Sequence, residues 1–170
     1  MGIFTRFRDI ISSNINAMLD KAEDPEKLIR LMIREMEDTL VEIKTACAGV
    51  MASSKKVKRQ LDGLGSREKY WEEKAALAVK KARDDLAREA LIEKRKFNRR
   101  METLENDLAE HDLLIEQYQD DIRQLEEKLK EVHRIIEIER SREKQQISIL
   151  SELNNLKNEF ISNIYYEFRT

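Results

Sequence analysis

Residues 61–71 read LDGLGSREKYW and hold two of the chain's four glycines, Gly63 and Gly65. Asp-Gly-Leu-Gly-Ser is good turn chemistry, and a break here would cut the chain into short helices. The apolar spacing argues the other way. Leu61, Leu64, Glu68 and Trp71 keep the three–four rhythm of a heptad through both glycines without a change of phase. A glycine inside a helix costs about 1 kcal/mol relative to alanine, which a continuous apolar seam offsets. The stretch is therefore read as unbroken helix, which gives one long arm in place of two short ones.

The rhythm extends in both directions. Upstream it runs through Ile29, Ile33, Met36, Leu40, Ile43, Cys47, Val50, Ser54 and Val57, and downstream through Ala75, Ala78 and Ala82. A second series follows from Phe97 through Met101, Leu104, Leu108, His111, Ile115, Tyr118, Ile122, Leu125, Leu129 and Val132 to Ile136. Sustained spacing of this kind with charged flanks means a left-handed coiled coil. Two series of similar length predict an antiparallel hairpin over residues 25–140, with its tip near 84–90 and its turn centred on Leu86. That register sets Met36 against Ile136, Leu40 against Val132, Val57 against Ile115, Trp71 against Met101 and Ala75 against Phe97. It also places Lys55, Lys56, Lys58 and Arg59 opposite Asp112, Glu116, Asp120 and Asp121. Arms of roughly 55 residues would be about 80 Å long.

Ahead of the hairpin, residues 1–24 form a shorter amphipathic segment. At 100° per residue Ile3, Phe4, Phe7, Ile10, Ile11, Ile15 and Met18 share one face. Polar residues, among them Arg6, Asp9, Ser12, Ser13, Asn16 and Asp20, take the other. Such a stripe usually packs on its own protein. A thin coiled coil offers few surfaces for that, so the expectation favours a membrane or a partner helix. Phe4 and Phe7 beside Arg6 and Arg8 suit a helix lying in the headgroup plane, with apolar insertion supplying most of the affinity. The run Glu23-Asp24-Pro25 ends this segment and starts the next. Asp24 can cap, and Pro25, the only proline, fits the first helical turn, where its missing N–H costs nothing. Residues 141–170 are expected to add a C-terminal helical segment, with Ile149, Leu153, Leu156, Phe160 and Ile164 on one face.

Composition narrows the function classes. Charged residues make up 39 % of the chain and aromatic residues 6 %, a balance that favours long helices with a narrow seam and makes the class all-α. The net charge of −2, with both signs interleaved, argues against direct binding of nucleic acid. One cysteine allows no internal disulfide and suits a reducing compartment. No run approaches the ~20 apolar residues of a spanning helix, and the N-terminus lacks a signal peptide's apolar core. The two histidines, His111 and His133, form no Glu-x-x-His pattern. His111 falls on the seam, where a lone polar residue sets register more often than it binds a metal. With no phosphate loop and no nucleophile elbow, neither catalysis nor a cofactor is expected.

MGIFTRFRDIISSNINAMLDKAEDPEKLIRLMIREMEDTLVEIK (residues 1–44), WEEKAALA (71–78) and DDLAREALIEKRK (84–96) closely resemble segments of the phage shock protein A family. The resemblance covers residues 1 to about 140, in order and in spacing. It implies a fold like that of the ESCRT-III membrane-remodelling proteins and assembly into rings, rods or scaffolds on stressed membranes. Membrane-inserting positions carried over are Ile3, Phe4, Phe7, Ile10 and Ile11, flanked by Arg6 and Arg8. The acidic-proline junction is Glu23, Asp24 and Pro25, and the tip and assembly segment is Leu86, Ala87, Arg88, Ala90 and Leu91. Implied partners are an anionic phospholipid membrane, further copies of the chain and an AAA+ transcriptional activator whose ATPase the family's hairpin inhibits. The implied location is the cytoplasmic face of the inner membrane. Past residue 140 the wording departs from the family's.

The expected function is a peripheral membrane-stress protein that binds damaged bilayer through its first helix and self-assembles. The alternatives are a soluble adaptor that restrains the AAA+ activator and a plain structural coiled coil.

Overall fold

The structure, a computed structural model, describes residues 2–168. Met1, Arg169 and Thr170, which the segments 1–24 and 141–170 include, lie outside the described residues. Four helices follow in order: α1 (Ile3–Ser12), α2 (Ile15–Leu19), α3 (Pro25–Lys80) and α4 (Asp84–Glu167). The described residues are helical throughout, apart from short connections, and contain no strand. The fold is all-α, an antiparallel hairpin of α3 and α4 with two short helices on its base.

Each start of α3 and α4 has a local cause. Asp24 accepts a hydrogen bond from the Lys27 N–H at 3.0 Å, Pro25 occupies the first turn, and Glu26 meets the positive end of the helix. α3 then runs 56 residues, through Gly63 and Gly65, because Leu61, Leu64 and Trp71 are half-buried along its seam. It ends in a Schellman motif. The Arg83 N–H reaches the Ala78 carbonyl at 2.9 Å and the Ala82 N–H reaches Val79 at 3.0 Å. Ala82 takes the left-handed conformation, with φ 54°, a place that glycine usually fills. Asp84 and Asp85 then favour the positive end of α4.

The turn therefore occupies Lys81–Arg83, ahead of Leu86, and the register shifts with it. A turn centred on Leu86 would set Lys94 against Ala78. Instead the Lys94 Nζ bridges Glu72 at 2.9 Å and Glu68 at 3.1 Å. Met101 lies beside Gly65, its Cε 3.9 Å from where a Cβ would stand, and not against Trp71. The expected charge match fails for the same reason. Across the arms the ion pairs are those of Lys94 and of Lys44 with Glu126, at 2.7 Å. Lys55, Lys56, Lys58 and Arg59 make no ion pair among the described residues, and Asp120 turns to Arg123 and Gln124 of its own helix. The physical cause is an alanine accepting a glycine's conformation, which breaker chemistry does not signal.

The core is concentrated at the base. Ile29, Met36, Ile43 and Cys47 of α3 meet Tyr118, Leu125 and Val132 of α4, and Ile15 of α2 completes the cluster. Toward the tip the arms close on small side chains, with Ala75, Ala87 and Ala90 buried. α4 is much the longer arm at 84 residues, or about 126 Å. It passes residue 140 without a break, and every described residue after Ile136 is exposed.

Two expectations about the N-terminus need correction. The segment 1–24 is not one helix: Ser13 and Asn14 are extended and divide it. The hairpin also does offer a docking surface, because α1 and α2 lie against its base. The ladder of large side chains there is wider than a two-helix seam can cover alone.

Candidate functional site

α1 is a ten-residue helix whose apolar side chains Ile3, Phe7, Ile10 and Ile11 pack half-buried against the base cluster. None of its residues is fully buried. Phe4, at the edge of the stripe, remains 43 % exposed while its ring stacks on Tyr118 at 5.9 Å between centroids. On the flank, the Arg6 guanidinium donates to the Glu42 carboxylate, and the Arg6 Nε is buried without a partner. Arg8 is exposed. The N-terminal half of the site is thus an apolar stripe, partly covered, with one arginine held by the hairpin and one free.

The residues behind α1 are built differently. The Ser13 hydroxyl donates back to the Ile10 carbonyl at 2.6 Å and closes the helix. Asn14 caps α2 by accepting from the Ala17 N–H at 3.1 Å. Ile15 is then 1 % exposed, and the Lys128 ammonium of α4 donates to the Ser13 carbonyl at 3.0 Å. Ser13 and Ile15 are firmly anchored, whereas α1 in front of them is held by a half-covered stripe, the Phe4–Tyr118 stack and one ion pair. The run Glu23-Asp24-Pro25 does end the N-terminal segment, but the break closest to the amphipathic stripe is Ser13–Asn14. Of the junction residues, Asp24 and Pro25 start α3, and Glu23 is an exposed residue of the connection.

At the far end, Leu86, Ala87, Arg88, Ala90 and Leu91 lie in the first turns of α4. Ala87 and Ala90 face the other arm, while Leu86, Arg88 and Leu91 face outward. Leu77, Val79 and Ile92 are also exposed, so the tip carries a cluster of outward apolar side chains. Arg83 and Asp85 form a two-point bond at 3.0 and 2.9 Å beside it. That bond lowers the Asp85 carboxyl below its ordinary range and raises Arg83. Glu72 and then Glu68 raise Lys94. In the base, Asp121 is 8 % exposed, and burial together with the neighbouring Asp120 pushes its carboxyl up.

Tyr118, Glu42 and Lys128, which receive the N-terminal segment, were not among the sequence candidates for it. Tyr118 stood out only as a seam residue, and nothing local marks Glu42 or Lys128 as facing a segment more than thirty residues away. Among the described residues, no three His, Cys, Asp or Glu side chains gather as a metal site, and no helix is long and apolar enough to cross a membrane.

A profile of the PspA/IM30 family matches residues 2–149. The membrane-associated protein Vipp1 of Nostoc punctiforme is 33 % identical over 131 residues, 77 % of this chain and 51 % of that protein. The phage shock protein A homolog of Bacillus subtilis is 37 % identical over 110 residues, 65 % of this chain and 45 % of its own. Protein LiaH of the same organism is 25 % identical over 127 residues, 75 % of this chain and 53 % of its own. The chain spans about half the length of these relatives.

Proposed function

The chain belongs to the PspA/IM30 family, and from that premise we propose that it is a peripheral protein of the stressed inner membrane. In this reading α1 binds anionic or damaged bilayer on the cytoplasmic face, and many copies assemble into rings, rods or scaffolds that maintain or remodel it. The observation that carries the reading is the half-covered stripe of α1, ahead of the anchored Ile15.

Membrane binding is then an exchange of partners. Ile3, Phe7, Ile10 and Ile11 cannot rest on the base cluster and among acyl chains at once, so α1 must leave the hairpin to insert. Apolar burial is similar on both sides, which makes the exchange cheap. Electrostatics decides its direction. Arg6 gives up Glu42 and, like Arg8, gains an anionic surface, worth about 1 kcal/mol per basic residue. Packing defects that expose acyl chains add to the membrane side. Side-by-side copies convert many weak insertions into firm attachment. Outward Leu86 and Leu91 and the basic Arg88 are the side chains proposed for contacts at the tip.

The docked state of α1 favours a second role in the same protein. With its stripe against the hairpin, the chain is an adaptor whose outer faces are open to a protein such as an AAA+ transcriptional activator.

The experiment is flotation with vesicles containing anionic lipid. The full chain should float, whereas Phe4→Asp/Phe7→Asp and a variant lacking residues 2–12 should stay in the soluble fraction with nearly unchanged helicity. Equal flotation of the double variant would overturn insertion by α1.

A further inference from the structure

Beyond residue 143 the second arm continues as an exposed helix on which no other described helix packs. Pro25, Glu26, Ile29 and Arg30 sit across from Ile136, Glu139, Arg140 and Glu143, so α3 begins there and no other described helix packs against residues 144–167. That length is about 36 Å. Ile147, Ile161, Tyr165 and Tyr166 are exposed on other faces of the helix, but one set of apolar side chains shares a single face. Ile149, Leu153, Leu156 and Phe160 follow four–three–four spacing, with Leu150 and Ile164 at the margin, and Phe160 is 66 % exposed. The seam positions span residues 149–160, about 16 Å, and a stripe of coiled-coil spacing held bare in water points to an interface.

The charges beside the stripe say what covers it. Between residues 144 and 168 the charged side chains are Lys144, Glu152, Lys157, Glu159 and Glu167. Two lysines against three glutamates give the segment no basic excess with which to favour an anionic bilayer. Glu152 and Glu159 flank the stripe on one side and Lys157 on the other. Glu152 and Lys157 stand five residues apart, about 140° around the helix, too far around to meet each other, and neither makes an ion pair among the described residues. Five residues is the offset at which a flanking charge meets the opposite flank of an in-register parallel partner. In an antiparallel pair the glutamate flank would instead face itself, and so would the lysine flank.

We infer that residues 144–168 pair in parallel and in register with the same segment of a second copy. Ile149, Leu153, Leu156 and Phe160 each meet their own counterpart, and Glu152 meets Lys157 of the other copy twice by symmetry. Burying a side chain of Leu or Phe size withdraws on the order of 100 Å² of apolar surface. Four such positions per chain withdraw about 800 Å², and the margin residues Leu150 and Ile164 bring the pair to about 1,000 Å², the size a specific interface needs to clear. The contact joins hairpins at their base ends and leaves their tips and α1 free. It does not depend on the membrane reading.

The test uses the full chain in solution without lipid. Leu156→Cys places a thiol at the centre of the stripe, where two parallel copies bring it against itself, while Cys47, buried in the base, serves as the internal control. Mild oxidation should link Leu156→Cys chains into covalent dimers and leave the parent chain monomeric on a non-reducing gel. Adding Glu152→Lys or Lys157→Glu alone should cut the dimer yield by about fivefold, and adding both should restore it. Three results would overturn the inference. The first is no more dimer from Leu156→Cys than from the parent, which would leave the stripe to a different occupant. The second is equal yield from every charge variant, and the third is failure of the double reversal to rescue.

Discussion

The two ends of the chain carry amphipathic helices of like character and opposite fate. α1 is ten residues long and lies on a ledge of large side chains, its stripe half-covered and one arginine tied to Glu42. The end of α4 is longer, its stripe is exposed, and no other described helix lies against it. The difference does not come from hydrophobicity. It comes from where α3 begins. Pro25 starts the first arm beside residues 136–143, so the base has a broad face for whatever precedes it, and the second arm outruns its partner. A stripe is covered or bare according to which surfaces the topology brings within reach.

The largest test of this contrast is a pair of identical truncations. Leu125→Ala, in the base cluster, should cost about 2–5 kcal/mol in urea unfolding, while Leu153→Ala in dilute solution should stay within about 0.5 kcal/mol. Equal losses would mean that the end of α4 folds back on its own hairpin, and the contrast would collapse. A smaller, opposite effect belongs to the tip, which lies in neither region. Ala82→Gly should stabilise the hairpin by about 1 kcal/mol by relieving the left-handed alanine, with no change in vesicle binding.

Weakening the hold on α1 should barely register in stability. Glu42→Gln removes the partner of Arg6 at a cost of about 0.2–1 kcal/mol, because the pair is partly exposed and screened. Its flotation with anionic vesicles should nevertheless rise, since Arg6 is then free for headgroups. A fall in flotation would show that the docked state assists binding. The slightest effect concerns pH. Burial raises the Asp121 carboxyl in the folded state, so the ionised group disfavours folding at neutral pH, and that penalty fades as the pH falls through the raised value and is gone below the ordinary carboxylate range. Asp121→Asn should therefore raise Tm at pH 7, with the gain shrinking on acidification.

How much of this was legible differs by element. The passage of α3 through Gly63 and Gly65 followed from the seam, because an unbroken apolar phase outweighs two glycines. The cap at Asp24-Pro25 was equally plain, as its chemistry is local. The turn was not, since Lys81, Ala82 and Arg83 contain no glycine, proline or asparagine, and only the assembled hairpin holds an alanine at positive φ. From that displaced turn came every wrong cross-arm pairing, because register in a hairpin is inherited from its turn. The break at Ser13–Asn14 hides inside a stripe that stays in phase from Ile11 to Ile15.

By itself the sequence determined the elements and their chemistry: the class, the two long arms, the amphipathic first segment and the family. These rest on periodicity and neighbours a few residues apart, which the chain carries in its order. Tertiary structure alone decided which stripe is covered, that Arg6 meets Glu42 and Phe4 meets Tyr118, and that the second arm runs on unaccompanied. Those are contacts between residues far apart in the chain, and their partners are set by the position of one turn and the start of one helix.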